Sequence, residues 1–243
     1  MQASPSNSLE CLELRPRSGV VAQIVVLLHG YGRNAALMRK MAGEVAARLP
    51  QALILMPHAP EAYETPESSE GNVLSVPQQL RGEDAEEGAD GLRRQWFSID
   101  AATLEDMRQK TMQAAGRVNE FLTQALAENG LSESDAALMG FSQGGAVALY
   151  AAYYRPVPVR CVAGHSTLFM GGDHMPSKPP TLYIYGLDDE EFSRQRFESG
   201  VRQLRAQIPN LTVEAVAGLR HTTNMQSRHI VADYIARHFN QTP

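Results

Sequence analysis

Residues 138–152 read "LMGFSQGGAVALYAA", an apolar run that breaks at Gly-Phe-Ser-Gln-Gly and then continues with helix-forming residues. The break matches the pattern G-x-S-x-G, in which a serine lies on a tight turn between a buried strand and a helix. Ser142 would adopt a sparsely populated backbone conformation there, at a cost of about 1–3 kcal/mol. Small residues at 140, 144 and 145 would relieve the crowding. The stretch predicts a strand, a sharp corner and a helix, with Ser142 as a nucleophile or as a plain turn residue.

Strand-like apolar runs and amphipathic helical stretches alternate on both sides of this corner. The predicted strands lie within 22–30, 51–60, 135–140, 159–166, 180–186 and 211–218, and the predicted helices within 35–50, 103–130, 144–154, 190–209 and 224–239. Short continuous apolar strands separated by helices are typical of a parallel sheet that is buried on both faces. We therefore predict an α/β fold with a mostly parallel central sheet and helices on both faces, in one domain spanning residues 1–243.

Composition and charge exclude several classes of protein. A formal net charge of −5 argues against nucleic-acid binding, which normally needs a basic face. No apolar stretch has the length of a membrane span, and the N-terminus lacks the basic and apolar regions of a secretory signal. The only two cysteines, Cys11 and Cys161, form no CxxC motif. We expect a cytoplasmic protein without integral membrane association, with a buried, inert thiol at Cys161.

A serine hydroxyl needs a base, usually a histidine that a carboxylate orients. With a G-x-S-x-G serine the chain order is Ser, then Asp or Glu, then His, each at the carboxyl end of a strand. Asp188 and Asp189 follow the strand at 180–186, and His221 follows the strand at 211–218. The other histidines are poorly placed for this order: His58 precedes the serine, His165 and His174 precede the acid, and His229 and His238 lie within the last helix.

The oxyanion of a tetrahedral intermediate needs backbone donors. One predicted donor is the amide of Gln143, directly after the serine, and the second comes from a loop after an earlier strand. The stretch "LLHGYGRN" suits that loop, because Gly30 and Gly32 allow close approach of the backbone and leave the Tyr31 amide as the donor. We expect His29 to shape the loop by hydrogen bonding. No spacing of metal ligands is present, and no cofactor is expected.

Residues 61–95 interrupt the α/β pattern. This acidic excursion has no clear periodicity, and loops of such length are usually functional or disordered. One interpretation is a solvated acidic loop. The other is a lid or a cleft wall, since Leu74, Val76, Leu80 and Leu92 could cover an apolar pocket.

Six segments, in the order "LLHGYG", "PHAP", "QWFSI", "GFSQGGAVAL", "YGLDD" and "GLRHTTN", resemble the α/β-hydrolases of the phospholipase/carboxylesterase group, which includes the acyl-protein thioesterases. The resemblance covers nearly the whole chain from about residue 22. It implies an α/β-hydrolase fold, and its G-x-x-D and G-x-x-H spacings favour Asp189 over Asp188 as the acid and select His221. It also implies that Trp96 and Phe97 lie beside the site.

Two departures from the group stand out. The connection between "PHAP" and the Trp-Phe pair is longer than is usual. The strand after the serine ends "AGHSTLF", where relatives more often have Ser-Gly followed by an aromatic residue, so that His165 could line the pocket.

The expected activity is hydrolysis of a small carboxylic ester, a thioester or a lysophospholipid through Ser142, His221 and Asp189 and an acyl-enzyme intermediate. Two alternatives are a hydrolase-fold protein that binds a ligand without catalysis, and another acyl-transfer enzyme, such as a peptidase or perhydrolase. The acyl chain length and the oligomeric state, a homodimer included, are left open by the sequence.

Overall fold

The computed structural model describes residues 9–64 and 92–240. The strands are β1 (Cys11–Leu14), β2 (Gln23–Leu28), β3 (Ala52–Pro57), β4 (Glu61–Ala62), β5 (Arg94–Gln95), β6 (Ala136–Phe141), β7 (Cys161–His165), β8 (Thr181–Gly186) and β9 (Leu211–Val216). The α-helices are α1 (Arg39–Arg48), α2 (Leu104–Asn129), α3 (Gln143–Tyr153), α4 (Arg194–Arg205) and α5 (Met225–Asn240).

Seven of these strands form one sheet in the order β1-β3-β2-β6-β7-β8-β9. Every neighbouring pair is parallel except β1 with β3, which is antiparallel. The apolar side chains of the central strands alternate between two cores, one shared with α2, α3 and α4 and the other with α1 and α5. Leu138 of β6 contributes to the first core and Met139 to the second. The predicted mostly parallel sheet with helices on both faces is confirmed.

Local sequence signals account for the ends of the helices. Thr103 caps α2 by accepting a hydrogen bond from the Asp106 amide at 3.1 Å, and Gly130 ends the helix in the left-handed conformation with φ of 65°. The predicted helix at 35–50 is a 3-10 turn over Ala35–Met38 followed by α1. The helix predicted to begin at residue 190 begins at Arg194, because the residues before it form a loop at the end of β8.

Three strands were not predicted. Strand β1 pairs with β3 at one edge of the sheet, and β4 pairs with β5 where the two ends of the excursion meet. Most of the excursion, with Leu74, Val76 and Leu80, lies outside the described residues, whereas Leu92 is described and exposed.

Two predictions from composition bear on the described residues. Cys161 is completely buried, which raises the pKa of its thiol to about 12, so the predicted buried thiol is confirmed. Within residues 9–64 and 92–240, no helix combines the length and the hydrophobicity that crossing a bilayer requires.

Candidate active site

Ser142 lies at the corner between β6 and α3, with φ of 52° and ψ of −120°. A Cβ atom added at Gly140 would lie 2.0 Å from the carbonyl oxygen of Gly144, and one added at Gly144 would lie 2.3 Å from the carbonyl oxygen of His29. At Gly145 it would lie 2.7 Å from Thr167. The predicted need for small residues at 140, 144 and 145 is therefore confirmed, and the serine is held in a strained conformation by close packing.

Three side chains from distant parts of the sequence meet at this corner. The Oγ atom of Ser142 lies 2.9 Å from Nε2 of His221, and Nδ1 of His221 lies 2.8 Å from Oδ2 of Asp189. Because an ionised carboxylate can only accept, Nδ1 carries the proton that it donates to Asp189, and Nε2 accepts from the serine hydroxyl. Asp188 is exposed, and its backbone amide, 3.1 Å from the Leu219 carbonyl oxygen, ties it to the neighbouring loop.

The Asp189 carboxylate is itself held by backbone donors. Its Oδ1 atom accepts hydrogen bonds from the amides of Glu191 and Phe192, both at 2.9 Å. The side chain of Asp189 is 1% exposed and that of His221 is 7% exposed. The pair is thus shielded from water, which strengthens the hydrogen bond between them.

Two aromatic rings enclose the imidazole of His221. The ring centroid of Phe141 lies 5.1 Å away, and Phe192 packs edge-on at 5.3 Å. Phe141 is the last residue of β6, directly before the serine, and Phe192 lies in the loop that carries the acid. Phe192 was not predicted as a site residue, because the sequence places it in a stretch that reads as the start of a helix.

Residues 29–33, called the oxyanion loop after their predicted role, lie directly against the serine corner. A Cβ atom at Gly30 would lie 3.1 Å from the Phe141 ring and 3.4 Å from Cβ of Ser142. Gln143 is the first residue of α3, so its amide has no carbonyl one turn earlier in the helix to which it could donate. Within the described part of the chain, neither this amide nor that of Tyr31 donates to a protein acceptor. Both amides belong to segments that adjoin Ser142.

His29 shapes the oxyanion loop through both ring nitrogens. Nδ1 lies 2.8 Å from the Gly30 carbonyl oxygen and donates to it, and Nε2 accepts from the Ala59 amide at 3.0 Å. Burial lowers the pKa of His29 to about 4, so the ring is neutral at physiological pH and can fill both roles. The indole Nε1 of Trp96 donates to the His29 carbonyl oxygen at 2.8 Å. These contacts agree with the predicted structural role of His29.

The side chain of Gln143 connects the serine corner to Trp96 and Phe97. Its Oε1 atom accepts from the Trp96 amide at 2.9 Å, and its Nε2 atom donates to the Phe97 carbonyl oxygen at 2.8 Å. Both aromatic residues are buried. They also border a cavity of about 180 Å³ that they share with residues of α2, and none of Ser142, Asp189 and His221 is among its lining residues. Their described contacts with the site run through Gln143 and His29.

The two ends of the acidic excursion contact the oxyanion loop. The amide of Gly32 donates to the Arg94 carbonyl oxygen at 2.9 Å, and Nε of Arg93 donates to the Gly32 carbonyl oxygen at 3.2 Å. The Arg93 guanidinium lies 3.8 Å from the ring centroid of Tyr63, and this ring packs against Tyr31 with centroids 5.0 Å apart. The excursion is thus anchored beside the candidate oxyanion donor.

His165 lies beneath the site and has no exposed surface. Its backbone carbonyl oxygen accepts from the Ser142 amide at 2.9 Å, and its ring packs against Phe141 with centroids 5.6 Å apart. Nδ1 lies 3.1 Å from Oγ of Ser166, a residue with φ of 45°. Burial lowers the pKa of His165 to about 3. His165 is thus buried against Phe141, and its role in lining the substrate pocket stays a prediction.

The donor set of the candidate site is unlike that of a metal centre. A catalytic zinc usually takes three His, Glu, Asp or Cys ligands, whereas here one histidine connects one hydroxyl to one carboxylate. Among the residues that the structure describes, no group of three or more His, Cys, Asp and Glu side chains is placed to hold a metal ion.

Residues 80–239 match the family model of the phospholipases and carboxylesterases, a segment that contains Ser142, Asp189 and His221. The chain belongs to the phospholipase/carboxylesterase family. This membership places it among the hydrolases of the carboxylesterase type.

Solved structures extend the likeness of this phospholipase/carboxylesterase family member to almost the whole chain. The esterase PE8 is similar over 95% of this chain and 99% of its own, with a TM-score of 0.76 and 22% sequence identity. Acyl-protein thioesterase 2 of Zea mays is similar over 95% and 99%, with a TM-score of 0.66 and 20% identity. The carboxylesterase of Bacillus cereus is similar over 95% of both chains, with a TM-score of 0.67 and 16% identity. At these identities the likeness establishes the shared fold, including the part before residue 80.

Proposed function

We propose that the chain is a serine hydrolase that transfers the acyl group of a carboxylic ester or thioester to water. The observation that carries this proposal is the unbroken line of hydrogen bonds from Ser142 Oγ through His221 to Asp189, at 2.9 and 2.8 Å. It lies at the carboxyl ends of strands β6, β8 and β9, the usual position of active sites in parallel sheets. Ser142 is the nucleophile, His221 the general base and Asp189 the acid that orients it.

In the proposed mechanism the Nε2 atom of His221 removes the hydroxyl proton as Ser142 attacks the substrate carbonyl carbon. Asp189 holds the imidazole in the required tautomer and stabilises its protonated form. The imidazolium then gives the proton to the leaving alcohol or thiol, and the carbonyl group re-forms as the acyl-enzyme. Water repeats the two steps, which releases the carboxylic acid and restores Ser142.

The amides of Tyr31 and Gln143 are the proposed donors to the oxyanion. The Tyr31 amide belongs to the oxyanion loop, and the Gln143 amide lies at the positive end of the α3 dipole. A single donor of this kind typically lowers the barrier by about 2.7–4 kcal/mol. The hydrogen bonds that hold the oxyanion loop fix the Tyr31 amide in advance of the reaction.

Small carboxylic esters, thioesters and lysophospholipids are the proposed substrate classes. Family membership favours carboxylic esters, and the likeness to a protein named as an acyl-protein thioesterase makes thioesters worth testing. The cytoplasmic location and the single domain stay predictions from the sequence, and a homodimer stays one open possibility.

The test combines labelling by a fluorophosphonate with turnover of p-nitrophenyl esters. Ser142→Ala should abolish labelling and reduce turnover to the background, because the nucleophile is missing. Ser193→Ala is a matched control, since Ser193 is exposed and lies just before α4, and it should label and turn over like the wild type. Labelling and turnover of Ser142→Ala near the wild-type level would refute the proposal.

A panel of substrates then separates the classes. p-Nitrophenyl esters of increasing chain length, an acyl-thioester, a lysophospholipid and a peptide amide would be compared by kcat/KM. A steep loss beyond butyrate would identify a small-acyl carboxylesterase. A preference for the peptide amide would favour a peptidase instead.

A further inference from the structure

The acid and the base of the proposed triad lie on two loops that pack against each other. The acid loop, residues 187–193, follows β8, and the base loop, residues 217–224, follows β9. The amide of Leu187 donates to the Val216 carbonyl oxygen at 2.9 Å, and the amide of Asp188 donates to that of Leu219 at 3.1 Å. These two main-chain hydrogen bonds connect the beginnings of the two loops, and neither involves the main chain of His221.

His221 is the central residue of a three-residue turn. The amide of Thr222 donates to the Arg220 carbonyl oxygen at 2.7 Å, which closes the turn around His221. A turn of this size uses no donor of its central residue, so the His221 amide is left to donate to an acceptor outside it. That acceptor is Oε2 of Glu190, at 3.1 Å.

Glu190 contacts the base loop through both of its carboxylate oxygens. While Oε2 accepts from the His221 amide, Oε1 pairs with the Arg220 guanidinium at 2.5 Å. The Arg220 side chain is 61% exposed, so this ion pair alone contributes little to stability. Burial raises the pKa of the Glu190 carboxyl, but the hydrogen bonds from the His221 amide, from its own amide and from Arg220 outweigh it and hold the pKa below its ordinary value. The carboxylate is thus ionised at neutral pH and accepts the amide as a charge-assisted hydrogen bond.

We propose that Glu190 is a positioning residue, which fixes the main chain of the general base His221 while Asp189 fixes its ring. This inference rests on the proposed function. Asp189, Phe141 and Phe192 restrain the imidazole ring but not the main chain that carries it, and small misplacements of a base are costly to the rate. With the amide of the same residue held by the next carboxylate along the chain, Nε2 stays at the distance from Ser142 that proton transfer needs.

Two substitutions separate the effect of side-chain length at Glu190 from the effect of its charge. Glu190→Gln keeps an oxygen that can accept from the His221 amide and loses the charge, so kcat with p-nitrophenyl butyrate should stay within about threefold of the wild type. Glu190→Asp keeps the charge, but its shorter side chain withdraws the oxygen, so kcat should fall about tenfold with KM changed by less than twofold. Glu190→Ala should behave like Glu190→Asp. The rate of fluorophosphonate labelling should fall in parallel, because it depends on activation of Ser142.

Asp188→Asn is the matched control, since it removes one negative charge from the exposed neighbouring position and should leave kcat unchanged. A kcat of Glu190→Asp within twofold of the wild type would overturn the proposal. So would equal losses in Glu190→Gln and Glu190→Asp, because the effect would then not follow the hydrogen bond. Ser142→Ala distinguishes this failure from the failure of the proposed function: if that variant keeps turnover, the function itself is wrong, whatever the Glu190 variants do.

Discussion

The buried side chain of Gln143 leads to a prediction whose size can be worked out from its two hydrogen bonds. Its Oε1 accepts from the Trp96 amide and its Nε2 donates to the Phe97 carbonyl oxygen, at 2.9 and 2.8 Å. In Gln143→Glu the atom that replaces Nε2 is an oxygen facing another oxygen. The new carboxyl can satisfy both partners only in its protonated form, in which it donates to Phe97 and accepts from Trp96.

The cost of this substitution depends on pH in a calculable way. An unfolded glutamate has a pKa of about 4.3, so keeping it protonated at pH 7 costs roughly 2.7 units, or about 3.7 kcal/mol of the free energy of unfolding. The folded pKa is raised, so stability is lost as the pH rises above about 4.3. At pH 5.5 the cost falls to roughly 1.7 kcal/mol by the same relation. Urea denaturation of the wild type and the variant at pH 7, 6.2 and 5.5 measures the difference.

Gln143→Met is the control for this prediction, because it removes both hydrogen-bonding atoms at similar volume. It leaves two buried backbone groups without partners, at about 1–3 kcal/mol each, and its cost should not change with pH. Effects of the buried histidines on acid stability are common to all three proteins and cancel in the comparison. A cost of Gln143→Glu that is the same at pH 7 and 5.5 would refute the reasoning.

Three further predictions concern the glycine corner, a buried histidine and the acid. Gly140→Ala should prevent folding, since the added Cβ would lie 2.0 Å from a backbone oxygen. Gly43→Ala in α1, where nothing lies within 4 Å of the added Cβ, should instead raise the free energy of unfolding by about 0.5–1 kcal/mol. Thermal unfolding measures both, and a folded Gly140→Ala with wild-type Tm would contradict the first expectation. The pKa of His165 is about 3 in the folded protein and 6.5 in the unfolded chain, so stability is lost as the pH falls below 6.5. Between pH 7 and pH 5 the free energy of unfolding of His165→Ser should therefore fall by about 2 kcal/mol less than that of the wild type, as measured by urea titrations. An equal fall in both proteins would argue against this expectation. Asp189→Asn should lower kcat by about 10³–10⁴ through the wrong tautomer, and the same loss in Asp188→Asn instead would reassign the acid.

Much of the fold follows from local patterns. Continuous apolar runs predict the central strands, and the Thr103 cap with the Gly130 stop delimits α2 to within one residue at each end. Strand β1 was missed because its side chains are half-buried or exposed, so that it lacks the apolar run of its neighbours. Strands β4 and β5 have two residues each, too few for any periodicity.

The candidate site likewise contains residues that the sequence could place and residues that it could not. Gly-Phe-Ser-Gln-Gly, the aspartate doublet and His221 could be placed at strand ends because the order of strands along the chain is readable. The sequence could not place Phe192, Glu190 or the contacts of Arg93 with Gly32, because these depend on how loops far apart in sequence pack together. His165 is the last residue of β7, and the sequence does not show that its side chain is completely buried and packs against Phe141.

The sequence by itself determined the alternation of strands and helices, the serine corner and the short set of residues able to act there, because these depend on spacing and on side-chain chemistry within a few residues. The family resemblance favoured Asp189 over Asp188, but only the tertiary structure shows the Asp189 carboxylate on the His221 ring and Glu190 on the amide of that histidine. Successive side chains on a loop point in different directions, and these directions are set by hydrogen bonds to a neighbouring strand end that lies about thirty residues away in the chain. The stretch "GFSQGG" thus predicts a nucleophile, while the packing of two later loops supplies the geometry that would activate it.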